Sequence, residues 1–124
     1  MLCWNVRGLN SEIRQREVRG KIEESECSVI CLEETKCESF DWKFLRKFRP
    51  KRFDRFAFSP SIGASGGILV LWISSIFDGQ LIDIQRHAVT VNFTSKHDNS
   101  SWKLVSVYGP CQGVEQDLCC VLDV

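Results

Sequence analysis

No apolar run in this sequence is long enough to cross a bilayer. The longest, from Ile68 to Ile73, falls far short of the roughly twenty residues that a spanning helix needs. The chain also lacks a basic, apolar and small-residue leader at its start. No membrane association is therefore expected, and the expected setting is intracellular, nuclear or cytoplasmic. Net charge is missing too. Sixteen basic and sixteen acidic residues cancel, so total charge gives no reason to expect a polyanionic partner. None of the seven cysteines forms a CxxC pair, and neither His87 nor His97 stands at a ligand interval from any of them, which argues against zinc. The odd cysteine count argues against a disulfide framework. Cys3, Cys27 and Cys31 sit in or beside apolar runs and read as free thiols buried as small hydrophobes. A reducing compartment fits, and no disulfide-linked partner is expected. Ser61 to Gly67 is glycine-rich but lacks the Lys-Ser/Thr of a phosphate-cradling loop, so it reads as a hairpin loop. Repeats and linkers are also absent.

What is present fits one soluble globular domain or a piece of one: 44% hydrophobic and 26% charged residues over 124 positions. Charge is unevenly placed. Seven cations lie between Lys43 and Arg55, whereas residues 56–124 carry three. Met1 to Val6 is a short apolar run that ends in the turn-like Arg7-Gly8-Leu9-Asn10, and reads as a buried strand delivering Asn5 near its carboxyl end. Ser11 offers an N-cap for a helix over residues 12–25 whose narrow apolar stripe would be Ile13, Val18 and Ile22. Residues 28–35 form a second apolar run without alternation, a strand covered on both faces. Strand, helix and strand make a βαβ-like unit, and the ligand edge of such a sheet is the carboxyl end of its strands. That places Asn5 and Glu34 together. Ser39 would cap a short amphipathic helix carrying Phe40, Phe44, Leu45 and Phe48, with Pro50 just beyond it. Strands are expected at 55–58, 67–72, 80–85, 88–94 and 102–108.

Four segments in order carry a resemblance. Trp4-Asn5-Val6-Arg7-Gly8-Leu9, then Cys31-Leu32-Glu33-Glu34-Thr35-Lys36, then Ser65-Gly66-Gly67 running to Trp72, then Ser106-Val107-Tyr108-Gly109-Pro110, resemble the endonuclease/exonuclease/phosphatase superfamily of DNase I-like and apurinic endonucleases. The wording is most similar to the endonuclease domain of plant LINE-type retrotransposons. The resemblance covers residues 2–113 and implies a partial domain over residues 1–113 with a divergent tail over 114–124. The implied fold class is α+β, the amino-terminal half of a DNase I-like α/β sandwich, with mixed, mostly antiparallel sheets and helices on one side.

Residue by residue, the resemblance implies that Glu34 is the principal ligand of Mg2+ (or Mn2+), that Asn5 orients that site, and that Tyr108 reaches the scissile phosphate. DNA is the implied partner, with Lys36, Lys43, Arg46, Lys47, Arg49, Lys51 and Arg52 as candidate nucleic-acid contacts. One carboxylate suffices as anchor, because magnesium keeps waters and phosphate oxygens around it.

Three departures qualify the match. Glu33 stands where the family has Gln, and strand alternation should turn it away from the metal. Arg7 occupies a position acidic in some relatives. The family's GDxN and SDH segments, which supply the water-positioning pair and the catalytic His, do not occur in these residues. The expectation is a truncated phosphodiesterase domain, inactive alone, with an exposed apolar sheet face. Two other readings stand beside it: a nucleic-acid-binding module built on the patch from Lys43 to Arg55, in which cations interleave with Phe44, Phe48, Phe53 and Phe56, and a fragment without biochemical function.

Overall fold

The computed structural model describes residues 1–63, 65–85, 88–107 and 119–123. Its first unit is the expected one. Strand β1 (Leu2–Asn5), helix α1 (Glu12–Ser25) and strand β2 (Val29–Glu33) form a parallel βαβ unit, with Leu2 opposite Ile30 and Asn5 opposite Glu33. Ser11 caps α1 by accepting the Arg14 amide at 3.1 Å, as a serine with extended backbone does at a helix start. The buried stripe of α1 differs from expectation. Val18 and Ile22 are buried, but Ile13 is exposed and Gln15 takes its place. Five residues separate Ile13 from Val18, about 140° around the helix, whereas Gln15, Val18 and Ile22 share one side. Gln15 is tolerated there because its amide donates to the Leu9 carbonyl at 2.8 Å.

Strand β4 (Ile68–Trp72) lies antiparallel to β2, and β3 (Arg55–Ser59) lies antiparallel to β4. The first sheet thus has the order β1-β2-β4-β3. All five residues of β2 and of β4 are buried, because both faces of this sheet are covered. Ile30, Leu32, Leu69 and Leu71 meet Val18 and Ile22 of α1 together with Leu45, Phe48 and Phe53. On the opposite face, Val29, Cys31, Val70 and Trp72 meet a second sheet. The short helix α2 (Trp42–Leu45) is capped by Asp41, whose carboxylate accepts the Phe44 amide at 2.8 Å. Ser39 therefore does not cap it, and the chain continues in turns where more helix was expected.

Strands β5 (Phe77–Gln85), β6 (Ala88–Ser95), β7 (Ser101–Val107) and β8 (Cys119–Asp123) make the second sheet, an antiparallel meander in that order. Residues 119–123, read from sequence as part of a divergent tail, pair with β7 from Trp102 to Ser106. Val89, Val91, Phe93 and Leu104 point inward and are fully buried. Phe93 packs edge-on to Trp72 at 5.3 Å and tilted on Trp102 at 4.7 Å, which locks the two sheets together. Gly79 passes so close to the Trp72 indole that any Cβ there would collide with it.

This corrects the expectation of an exposed sheet face. The chain supplies both sheets, and their apolar faces cover each other. Among the described residues, Leu81 and Ile84 of β5 pair with inward-facing Val91 and Val89, yet are 43% and 45% exposed. Among the described residues, no helix is long and apolar enough to cross a membrane.

Cys27 and Cys31 are free thiols as expected, and so is Cys37. Cys3 is the exception. It lies half-buried on the edge strand β1 and stands in a disulfide, so the reading of it as a buried free thiol does not hold. Cys3 and Cys31 stand opposite each other on one face, but Cys3 is half-buried whereas Cys31 is fully buried. Burial pushes the Cys31 thiol up to about 12, which makes it inert as a nucleophile.

The Ser61 to Gly67 segment is the β3–β4 hairpin connection, with Ile62 bridging Ser65. Gly67 has φ +95°, and a Cβ there would strike Thr35 Oγ1. Gly67→Ala is therefore expected to lower stability by about 1–3 kcal/mol, read as a shift of the urea midpoint at unchanged slope. An unchanged midpoint would contradict the close approach of this hairpin to Thr35.

Candidate active site

The carboxyl ends of β1 and β2 form one rim of the first sheet, and the backbone there is held from both sides. Val6, Gly8 and Leu9 donate their amides to the carbonyls of Glu33, Glu34 and Thr35 at 2.9, 2.8 and 3.0 Å. From the other side, the Gly67 and Gly66 carbonyls accept the amides of Thr35 and Lys36 at 3.1 and 2.8 Å. The segment 33–36 is thus a continuation of β2 clamped between the turn after β1 and the glycine hairpin. Satisfying each of these groups permits an unusual backbone: Arg7, Gly8, Glu34 and Lys36 all have positive φ, at 53°, 106°, 55° and 59°. For the three non-glycine residues such conformations cost on the order of 1 kcal/mol each. Strain of this kind persists only where neighbours over-determine it, and it gathers at functional sites.

The rim brings Asn5 and Glu34 to the ends of adjacent parallel strands, as the sequence pattern predicts. Asn5 Oδ1 accepts the Arg7 amide at 3.2 Å, which fixes the side-chain amide against the turn. The Glu34 carboxylate is largely enclosed, its side chain 18% exposed, and its Oε1 lies 3.9 Å from the Lys36 ammonium. An open, polar-lined cleft of about 460 Å³ adjoins the rim, bounded by Asn10, Lys36, Glu38, Asp41 and Gly63. Among the described residues, no three His, Cys, Asp or Glu side chains gather to hold a metal ion. A hard ion at this rim would therefore rest on Glu34, on amide oxygen and on water.

Glu33 occupies a different environment from Glu34. It does alternate away from Leu32, but its register opposite Asn5 gives it Asn5's own face, the face shared with Cys31 and turned to the second sheet. It is fully buried there, and its Oε2 accepts from Ser106 Oγ of β7 at 3.0 Å. This contact joins the sheets at the candidate rim. Sequence reasoning did not single out Ser106, yet a signal existed: Trp102, Leu104 and Ser106 alternate on the inward face of β7, and a hydroxyl at such a position implies a buried partner.

The remaining candidates are dispersed. Lys36 lies at the rim. Lys43 and Lys47 are solvent-exposed on and after α2, with the Lys47 ammonium 5.6 Å over the Phe44 ring. Arg49 and Arg52 are anchored to carbonyls, Arg49 to Phe53 at 3.0 Å and Arg52 to Ile22 at 3.3 Å. Arg46 and Lys51 line a groove near the other end of the strands. Tyr108 lies outside the described residues.

No family model matches the sequence, and no curated protein does. The fold is similar to that of an AP endonuclease, LMAP, from Leishmania major, with a TM-score of 0.65 at 19% identity. The likeness covers 85% of this chain and 38% of that one. The chain therefore spans well under half the length of this neighbour, and the α+β, DNase I-like fold is what the two share.

Ser106→Ala would leave the buried Glu33 carboxylate short of a donor. It is expected to destabilise the fold by about 1–3 kcal/mol, measured by chemical denaturation. Ser106→Ala combined with Glu33→Leu should recover part of that loss, since removing both partners removes the desolvation penalty.

Proposed function

We propose that this chain is the metal-anchoring part of a magnesium-dependent, endonuclease-like phosphodiesterase domain. The observation that carries this reading is the strained, fully hydrogen-bonded rim that sets Asn5 and Glu34 at the ends of adjacent parallel strands within a DNase I-like fold. Glu34 would hold Mg2+ or Mn2+, with Asn5 held in place beside it by the Arg7 amide. The donor set suits a hard ion that takes few protein ligands and retains its waters. Bound there against a phosphate oxygen, such an ion would supply Lewis-acid stabilisation of charge in the transition state. Lys36, at the same rim, would offset phosphate charge.

The likeness in fold to a protein named as an AP endonuclease supports a nuclease-like role, with DNA as the polymer acted on. The wording WNVRGLN, CLEETK and SVYGP supports descent from a LINE-type retroelement. Hydrolysis by the 124 residues alone is not part of the proposal. One anchored metal without a general base among the described residues would leave the phosphodiester close to its uncatalysed rate, since cooperating catalytic groups fail together.

Two measurements test this. Titrating Mn2+ into the chain should broaden the NMR signals of Asn5, Glu34 and their neighbours first, and Glu34→Gln should abolish that selectivity. Uniform broadening would remove the metal anchor from the proposal. In a plasmid-nicking assay the chain should be inactive with or without Mg2+, and magnesium-dependent nicking lost in Glu34→Gln would overturn the inactivity.

A further inference from the structure

At the opposite end of the first sheet lies a second polar feature that the rim does not use. Arg55 is opposite Trp72, which is opposite Val29, whereas Ser59, Ile68 and Glu33 align with Asn5 at the candidate rim. Four residues of strand separate the two ends, about 13 Å. There, Arg19 from α1 and Trp42, Arg46, Arg49 and Lys51 from α2 and the turns after it border an open groove of about 850 Å³. Asp54 and Arg55 close it at the start of β3.

The cations of this groove are not equivalent. Arg49 is structural: its Nη1 donates to the carbonyls of Lys51 and Phe53 at 3.2 and 3.0 Å, and its guanidinium lies 4.6 Å over the Trp42 ring. It braces Trp42, which Phe56 meets edge-on at 4.8 Å and which is 39% exposed. Arg19 reaches Glu23 at 3.4 Å and the Arg49 carbonyl at 3.2 Å. Asp54 is engaged by both the amide and the hydroxyl of Ser74, at 2.9 and 2.6 Å, and by Arg55 at 3.6 Å. Arg46 and Lys51 are exposed, and among the described residues no carboxylate pairs with either. The groove thus holds five cations against one carboxylate in a chain whose formal charge is zero.

We propose that this groove binds a single strand of nucleic acid through its phosphates, at a place separate from the Asn5 and Glu34 rim. Guanidinium forks suit phosphate oxygens, and a braced, part-exposed indole beside them offers a base a stacking surface. An acidic peptide would use the cations but gain little from Trp42. Contact here would hold the polymer without a metal, independently of chemistry at the far rim.

The test is fluorescence anisotropy of a labelled fifteen-nucleotide single-stranded oligonucleotide with the whole chain, in EDTA, from 50 to 300 mM NaCl. The absence of metal keeps the outcome distinct from that of the Glu34 reading. Affinity should fall linearly with the logarithm of salt, with a slope of about −0.7 per phosphate contacted. Arg46→Glu with Lys51→Glu should weaken binding at least tenfold, and Arg46→Gln with Lys51→Gln should weaken it less. Arg14→Glu with Arg16→Glu, an equal charge change on the exposed surface of α1, should alter it less than twofold. Trp42→Leu should weaken the oligonucleotide while sparing the salt slope. Equal loss in the α1 control would reduce the binding to diffuse attraction and overturn the proposal. Competition by polyglutamate as effective as by unlabelled oligonucleotide would also overturn it, in favour of an acidic protein.

Discussion

Strand β2 has no free surface, and that constraint organises the rest of the molecule. Both of its edges are hydrogen-bonded, to β1 and β4, and both of its faces are buried, one under α1 and one under the second sheet. A strand so enclosed cannot slip in register without moving its apolar residues to positions they do not fit. Its end is therefore fixed. Glu34 emerges where the enclosure stops, just past the buried Glu33, and the turn after β1 and the glycine hairpin complete the backbone pairing just beyond it. The positive φ values at Arg7, Glu34 and Lys36 follow from this clamp: the chain is bent to satisfy its amides, and the side chains take the directions that remain.

The two consecutive carboxylates divide into different physical environments. Glu33 is enclosed between sheets, where a polar side chain needs hydrogen-bond partners, and Ser106 supplies a donor across the gap. Glu34 meets the cleft and a lysine. Position 33 therefore places an acidic side chain inside the molecule and not on its surface. The inter-sheet contact at this rim consequently rests on a polar pair, while its opposite end rests on the ring cluster of Trp72, Phe77, Phe93 and Trp102.

Much of the first sheet was legible because its signals are local. The unbroken apolar run at 29–32 could only be a strand covered twice, Ser11 stands at the right offset to cap α1, and the ends of β1 and β2 follow from the turn residues after them. Placement across space was not legible. Ile13 looked like part of the α1 stripe until helical angle was counted against Gln15, and the cap expected of Ser39 comes instead from Asp41, which accepts the Phe44 amide. Three strands of the second sheet were legible, but β8 lies in residues read as a divergent tail, and the seat of this sheet on the first depends on ring packing between residues twenty or more positions apart, such as Trp72 and Phe93. The basic run from Lys43 to Arg55 read as one patch. In space Arg46, Arg49, Lys51 and Arg55 line one groove, while Arg52 turns to the Ile22 carbonyl and Arg49 also belongs to the scaffold.

The separation of charge between the two ends of the first sheet also explains why a chain of zero formal charge can carry two polar sites. The βαβ crossover returns α1 to the amino end of β2, and the turns after α2 reach the same end through Arg19 and Arg52. The cations gather there because the connections do. Glu33 and Glu34 stand at the far end, where both parallel strands finish. About 13 Å of strand separates the groove's cations from Glu33 and Glu34, so they act on these side chains far more weakly than a group in contact does. Compensation at that rim must come from nearby groups, and Ser106 and Lys36 are placed to provide it. Each end of the sheet thus draws its nearest compensation from its own residues, Ser106 and Lys36 at the rim and Asp54 in the groove.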